Sequence, residues 1–197
     1  MGYFRLKSKW DKTRYQISMN KALGFNFPDK DIDTANIYTY ERYGLFLAGF
    51  MLKKIRSKYT DLRCLRQIPI DSFTRYVIPR LVDLDIKKQK VCEINGYFIL
   101  DKSISNWFKF RMMITILLTN AKYFFYSYQS INEKLSAYYS NGNPKLIYRG
   151  PVMYQILDDS GKIETKFSNE NVCALTKLGV IKIFLNGLFK WKKYQPI

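Results

Sequence analysis

Cysteines and closely spaced aspartates are the side chains of this sequence that could do chemistry. The three cysteines, Cys64, Cys92 and Cys173, are widely spaced and form no Cys-x-x-Cys pair, so the sequence indicates neither a zinc site nor a disulfide framework. Asp83 and Asp85 would point to the same side of a strand, a spacing that could coordinate a metal ion, but no other ligand is clustered with them. We therefore expect buried, reduced thiols and solvent-facing aspartates.

The remaining acidic pair and the histidine content argue against catalysis. Asp158 and Asp159 precede Ser160-Gly161, a combination typical of a tight turn. The sequence has no histidine, which removes the usual general base and the commonest metal ligand. The sequence therefore predicts a protein that is not an enzyme, with no catalytic residue, no metal, no cofactor and no small-molecule substrate.

The charge balance indicates a polyanionic partner. The 197 residues include 33 Lys and Arg against 16 Asp and Glu, a formal charge of +17 that persists near neutral pH because no histidine titrates. Such an excess destabilises the folded chain by self-repulsion unless phosphates or anionic lipids neutralise it. RNA carries a dense array of phosphates, so we expect RNA to be the partner.

Cations alternate with aromatic rings in the first thirty residues, where Tyr3, Phe4 and Trp10 lie among lysines and arginines. Cations can bind phosphates while flat rings stack on unpaired bases, although the same rings could equally anchor the segment on its own domain. Further cations lie within or beside the predicted elements, and three lysines lie in the last ten residues. The candidate RNA contacts are Arg5, Lys7, Lys9, Lys12, Arg14, Lys53, Lys54, Arg56, Lys58, Arg111, Lys122, Lys190, Lys192 and Lys193.

Hydrophobic periodicity predicts helices and strands in the first half of the chain. Apolar residues at nearly helical spacing predict a helix over residues 35–59. A short helix is expected over 72–77 and a strand over 81–86. Two apolar runs flank Asn95-Gly96, which predicts a hairpin turn at that dipeptide.

The second half alternates helices and strands more clearly. A helix over 103–119 contains a run of only seven residues that is free of strongly polar groups, too short to cross a bilayer. The elements expected after it are a strand over 122–128, a short helix over 131–139, a strand covering 146–148 and 152–157, a strand over 162–167, a short helix after 168 and a last strand over 178–185. This order predicts an α+β fold, a mixed sheet packed by helices, with basic and partly irregular terminal extensions.

Two segments of this region resemble one known family. Thr176-Lys-Leu-Gly-Val-Ile-Lys-Ile-Phe-Leu-Asn-Gly187 is similar to the closing Gly-Val-Lys-Val-Trp-Ile strand of the carboxy-terminal domain of the universal small-subunit ribosomal protein three family. Asn120-Ala-Lys-Tyr-Phe-Phe-Tyr-Ser-Tyr128 is similar to its Gly-Ala-Lys-Gly-Ile-Lys-Val strand. The resemblance covers 103–187. Together with composition and pattern it predicts four regions: a basic aromatic arm (1–34), a helix and hairpin region (35–102), a ribosomal-type domain (103–187) and a basic tail (188–197).

Charge, composition and resemblance together predict a structural protein of the mitochondrial ribosome, more specifically of its small subunit. It would bind and stabilise rRNA beside neighbouring ribosomal proteins, with mRNA as a further partner. The abundance of Tyr, Phe, Ile, Lys and Asn is typical of an organelle-encoded protein, which places it in the mitochondrial matrix. The alternatives are a matrix-facing accessory subunit of a respiratory membrane complex, held on anionic lipid, and a nucleic-acid enzyme such as a nuclease.

Overall fold

The computed structural model describes residues 2–24, 26–55, 61–85, 89–157 and 162–191, with the backbone alone at 134–135 and 187–191. Within them, seven strands form one sheet against which eight α-helices pack. The strands are β1 (Gly2–Arg5), β2 (Asn36–Arg42), β3 (Leu45–Ile55), β4 (Val91–Ile99), β5 (Tyr123–Gln129), β6 (Lys145–Leu157) and β7 (Ile163–Thr176). The helices are α1 (Lys9–Leu23), α2 (Asp29–Thr34), α3 (Arg63–Arg66), α4 (Ile70–Ser72), α5 (Ile78–Asp83), α6 (Ser105–Leu117), α7 (Glu133–Ser140) and α8 (Lys177–Trp191).

The sheet opens at its centre. The strand order is β1-β2-β3-β4-β5-β7-β6, and all neighbours are antiparallel except β4 and β5. These two parallel strands pair over three residues only, from Val91 opposite Tyr123 to Glu93 opposite Phe125. Beyond this point β4 pairs with β3 alone and β5 with β7 alone. The two strands therefore diverge and leave a gap in the middle of the sheet.

A bulge in β4 accompanies this divergence. The register with β3 shifts between Gly49 opposite Phe98 and Met51 opposite Asn95, so that β4 carries one extra residue there. Gly96, which lies in the bulge, has a φ of +59°, a backbone conformation that glycine adopts at low cost. The Tyr15 hydroxyl of α1 donates a hydrogen bond to the Gly96 carbonyl over 2.9 Å. A bulge bends its strand, and α1 fixes this bend.

Helices cover both faces of the sheet. On one face α6 and α8 bury apolar side chains over β3, β4, β5 and β7, including Phe108 and Ile116 of α6 and Ile183 of α8. On the other face α1 and α2 form one cluster with β2 and β3, and the helices between 63 and 83 form a second cluster with β5, β6 and β7. This arrangement confirms the predicted α+β class, a mixed sheet packed by helices.

The helix predicted over 35–59 is wrong, because this segment forms the β2–β3 hairpin. Tyr43 and Gly44 lie between the strands with φ values of 52° and 76°, a left-handed pair typical of a tight hairpin turn. The apolar run of β3 is buried on both faces, so its sequence lacks the alternation that marks a half-exposed strand. Conversely, Asn95-Gly96 forms a bulge inside the continuous strand β4, and the hairpin predicted there is wrong.

The last predicted strand, over 178–185, is also wrong. These residues lie in α8, and the buried side chains Val180, Ile183 and Phe184 follow the spacing of one helix face. Leu178 and Leu185 are 60% and 41% exposed, which strict alternation in a buried strand would not allow. The strand predicted over 81–86 overlaps the helix α5, and the helix predicted after 168 lies within β7, so both are wrong. The helix α6 and the strands β5 and β6 are confirmed, as is the helix α7.

Candidate active site

A cavity lies in the gap between β4 and β5. It has a volume of about 620 Å³ and is lined on the strand side by residues 94–97 of β4 and 126–129 of β5. Above the sheet it is bounded by apolar side chains of α6 and α8, among them Met112, Val180 and Phe184. Below the sheet it reaches Phe27 and Arg63. The cavity therefore passes through the sheet from one face to the other.

Tyrosines form one wall of this cavity. The rings of Tyr126 and Tyr128 on β5 both contact Tyr139 of α7, with centroid distances of 4.7 and 5.1 Å. Tyr138 meets Tyr139 edge-on at 5.5 Å. Such ring contacts stabilise the wall beyond the area that they bury. They hold several hydroxyl groups around the cavity in fixed positions.

The Tyr126 hydroxyl is a buried polar group with no strong hydrogen-bond partner among the described residues, because its polar neighbour is the Cys173 thiol, a weak hydrogen-bonding group. Tyr126 is only 5% exposed, and it lines the cavity. Burial raises its pKa far above the usual range, and the neighbouring Cys173 thiol adds to this shift. An unpaired buried hydroxyl costs free energy. A bound ligand that accepts a hydrogen bond there would recover it.

The other tyrosines of the wall also remain protonated near neutral pH. Burial raises the pKa of Tyr139 to about 12 and raises the pKa of Tyr138 as well. Burial likewise raises the pKa of Tyr97, which faces them from β4. These groups can therefore donate hydrogen bonds, or a proton, to a ligand in the cavity.

Three charged side chains line the cavity. Glu170 of β7 is 8% exposed and is the one carboxylate among the described lining residues. Arg63 and Lys109 are the cations, and burial lowers the pKa of each. Glu170 partly offsets this effect on Arg63 through space, together with Glu93 and Asp31. The cavity walls thus contain a buried carboxylate, tyrosine hydroxyls and partly desolvated cations.

The cysteines lie in the core, and they do not add a nucleophile. All three are buried and unpaired. Burial raises the pKa of the Cys92 and Cys173 thiols to about 11 and raises the pKa of the Cys64 thiol well above its usual value. A thiol attacks as its thiolate, so these groups are poorly suited to nucleophilic attack at neutral pH.

The acidic pairs show no metal site in the part of the chain that the structure describes. No group of three or more metal-binding side chains is present among those residues. Asp83 ends α5, and Asp85 follows it with a φ of 49°. Asp158 and Asp159 lie outside the described residues. The described helices include none with the length and hydropathy needed to cross a bilayer.

The predicted RNA contacts that the structure describes lie outside the cavity. None of the described ones lines it or the smaller cavity beside Arg66. Side chains of this set that are exposed are Arg5, Lys7, Lys9, Lys54, Arg111 and Lys122. Arg56, Lys58, Lys192 and Lys193 lie outside the described residues, and only the backbone of Lys190 is described.

Several of the predicted RNA contacts interact with other groups of the protein. Lys12 donates hydrogen bonds to the carbonyls of Ile32, Asp33 and Ala35 at 3.3, 2.8 and 3.2 Å. Arg14 donates to the Gly44 carbonyl at 2.6 Å. Lys53 is buried and pairs with Asp31. Arg111 lies over the rings of Tyr3 and Trp107 at 5.4 and 5.5 Å.

No family model matches the sequence, and no curated protein matches it either. Solved structures do. An N-acyl amino acid synthase from uncultured soil microbes superposes with a TM-score of 0.61 at 11% identity, covering 95% of this chain and 97% of that one. An N-acetyltransferase from Staphylococcus aureus gives 0.53 at 12% identity, covering 90% and 97%. Arabidopsis thaliana NAA60 in complex with acetyl-CoA gives 0.52 at 8% identity, covering 89% and 97%.

The fold is that of the GCN5-related N-acetyltransferases. The ribosomal resemblance is therefore wrong, because its closing strand is the helix α8 and its fold differs from that of the structural neighbours. The same neighbours are acyl-transferring enzymes, so they contradict the predicted ribosomal function, the respiratory alternative and the prediction that the protein is not an enzyme. They also contradict the predicted rRNA, mRNA and ribosomal-protein partners. The exclusion of a small-molecule substrate is corrected with them. The mitochondrial location stays a prediction.

Sequence reasoning missed every residue of the cavity. Tyr126 and Tyr128 lie on the strand predicted over 122–128, but the sequence predicted no functional role for them. Glu170 fell in a segment expected to be a short helix. The signal that could have located the site is Asn95-Gly96 within an apolar run, because a left-handed glycine in a strand also marks a bulge.

Proposed function

We propose that this protein is an acyltransferase that moves an acyl group from a thioester, such as acyl-CoA, to an amine. The observation that carries this proposal is the cavity between β4 and β5, with Glu170 and the buried hydroxyl of Tyr126 on its walls. The solved structures that share the fold support the reaction class, since they are described as acetyltransferases and as an N-acyl amino acid synthase.

The diverging strands suit an extended thioester. Where β4 and β5 separate, neither strand pairs with the other, so the edges facing the gap can bond to a ligand. The arm of a CoA thioester contains amide groups, which can pair with a strand edge as an added strand would. The apolar side chains of α6 and α8 above the gap would then contact the acyl group.

The charge of the chain also fits this donor. CoA carries phosphates, and a formal charge of +17 attracts phosphate whether or not a nucleic acid is present. Lys109 lies on the α6 wall of the cavity, and no described residue forms an ion pair with it. The cationic excess that suggested RNA therefore has a role in binding a phosphorylated donor.

The reaction requires proton transfers that the cavity can supply. The amine attacks the carbonyl carbon of the thioester, forming the C–N bond, and the C–S bond then breaks. Glu170 accepts the proton that the amine loses, as a general base. The Tyr126 hydroxyl donates a hydrogen bond to the carbonyl oxygen as negative charge develops there, and a protonated tyrosine of the wall supplies the proton to the leaving thiolate.

Amine-dependent release of thiol tests this proposal. The purified protein is incubated with acyl-CoAs of two to sixteen carbons and with a panel of amines, and free CoA is measured with a thiol reagent while the amide is identified by mass spectrometry. We expect at least one pair to give equal amounts of CoA and amide. If no acyl-CoA releases thiol faster with any amine than without one, the proposed function is wrong.

A further inference from the structure

A second cavity adjoins the lower end of the first. It has a volume of about 330 Å³ and shares Arg63, Gln67 and Tyr154 with the larger cavity. Two backbone hydrogen bonds close it: Asn26 donates to the Gln155 carbonyl at 2.9 Å, and Met153 donates to the Gln67 carbonyl at 2.8 Å. The two cavities thus meet at Arg63, on the face of the sheet opposite α6 and α8.

Arg63 is a positioned cation whose guanidinium makes no direct ion pair with a described residue, while the carboxylates of Glu93, Asp31 and Glu170 act on it through space. The buried Glu93 carboxylate accepts hydrogen bonds from the backbone N–H groups of Arg63 and Cys64 at 2.8 and 2.7 Å, which fixes the start of α3. The guanidinium lies over the Phe27 ring, 4.1 Å from its centroid. No described residue forms a hydrogen bond or a direct ion pair with this guanidinium. It is held in place and remains free to bind an anion.

Two neighbouring cations share one buried carboxylate. The Asp31 carboxylate, which is 3% exposed, accepts hydrogen bonds from the Lys53 ammonium at 2.9 Å and from the Arg66 guanidinium at 2.7 Å. Arg66 also reaches the second oxygen of this carboxylate at 2.8 Å. Asp31 therefore forms direct ion pairs with both Lys53 and Arg66. Arg63 forms none with a described residue, so its guanidinium N–H groups are available to a ligand.

Glu170 and Arg63 carry opposite charges toward the same end of the larger cavity. They belong to different walls, β7 and α3, and interact through space without a direct ion pair. A ligand that places an amine beside Glu170 and an anion on Arg63 would compensate both charges. A carboxylate matches the planar fork of a guanidinium and binds it with two parallel hydrogen bonds.

We propose that the acyl acceptor is an amine that carries a carboxylate, a free amino acid, with its carboxylate on Arg63 and its amine beside Glu170. This inference rests on the proposed acyl transfer and adds the class of acceptor. Arg63 acts as a residue that determines acceptor specificity, while Glu170 acts on the proton of the amine. Each charge of the acceptor then faces the opposite charge of the protein.

Paired acceptors test this inference. Initial rates of thiol release are measured at saturating acyl-CoA for amino acids and for the corresponding amino acid amides, which keep the amine and lack the carboxylate. Charged hydrogen bonds of about 1.5–3 kcal/mol correspond to about 10- to 150-fold in binding. We expect kcat/KM to favour the amino acids by about that factor, mainly through KM.

The variants separate Arg63 from its surroundings. Arg63→Gln is expected to remove the preference for amino acids over their amides, and Arg63→Lys is expected to restore part of it. Arg66→Gln, in the same helix, is the matched control and should keep the preference. If Arg63→Gln does not fold, the preference of Arg63→Lys and the thermal shift of the wild-type protein with each acceptor decide the question.

The results that overturn this inference differ from those that overturn the proposed function. Equal use of amino acids and their amides by the wild-type protein, or an unchanged preference in Arg63→Gln, means that Arg63 only balances the charges of Glu93, Asp31 and Glu170. Acyl transfer itself would then still stand. Absence of thiol release with every amine overturns both proposals together.

Discussion

Glu170→Gln should lower kcat for acyl transfer by about 100- to 10,000-fold, the range of a general base. The amide keeps the shape of the carboxylate and cannot take the proton that the amine loses. Binding of the acyl-CoA alone should be unchanged, because the donor does not depend on this group in the proposed mechanism. The measurement is steady-state kinetics with purified protein, combined with titration calorimetry of a donor analogue.

Glu164→Gln is the matched control for this variant. Glu164 lies on the same strand, and its side chain is 52% exposed in a surface pair with Lys166. We expect it to leave kcat within about twofold, since exposed ion pairs have little effect. A Glu170→Gln protein that folds normally and retains more than about a fifth of the wild-type kcat would show that another group accepts the proton.

Asp31→Asn should lower the free energy of unfolding by about 3–5 kcal/mol, the usual cost of removing one partner of a buried ion pair. Lys53, whose side chain is 9% exposed, would keep its charge in the interior without compensation. Arg66 is 35% exposed and can turn toward water, so Lys53 dominates the effect. For a chain of this size the melting temperature should fall by about 6–20 °C. Thermal unfolding followed by circular dichroism measures this.

Two further variants make the result specific. Asp33→Asn changes an exposed carboxylate of the same helix, and we expect an effect within about 0.5 kcal/mol. Asp31→Asn combined with Lys53→Met removes both buried charges and should recover much of the lost stability. If Asp31→Asn and Asp33→Asn unfold at the same temperature, the pair of Asp31 and Lys53 does not stabilise the fold.

Local patterns in the sequence were sufficient to predict the helices and strands that bury one face. The helix α6 has buried Phe108, Met112 and Ile116 at helical spacing, and the sequence predicted it to within two residues at each end. The strand β5 is short and rich in aromatic residues, which favour strands. The α+β class follows from this alternation.

The same signals failed where the environment is set by distant residues. The strand β3 is buried on both faces, and its apolar run reads equally well as a helix. Residues 178–185 contain β-branched and aromatic residues that favour a strand, but the contacts with α6 and α7 select a helix. Gly142 and Gly179 approach each other closely at the start of α8, which no local pattern of residues reveals.

The candidate site could not be predicted, because it depends on pairs of residues far apart in the chain. Arg63 and Glu170 are separated by more than half of the sequence and meet only through the order of strands in the sheet. The net charge predicts a polyanionic partner, but its magnitude does not distinguish RNA from the phosphorylated donor proposed above. Several of the cations assigned to RNA, such as Lys53 and Lys12, are engaged within the fold.

The proposed reaction requires that an acyl thioester binds in the gap between β4 and β5. Hydrogen–deuterium exchange with a non-hydrolysable thioether analogue of acyl-CoA tests it most directly, without any acceptor. We predict that saturating analogue slows the exchange of peptides that cover residues 94–97 and 126–129, and slows it less in the outer strands β1 and β6. Saturable binding with slower exchange confined to other segments, or no binding, would show that the gap between β4 and β5 does not bind the acyl thioester.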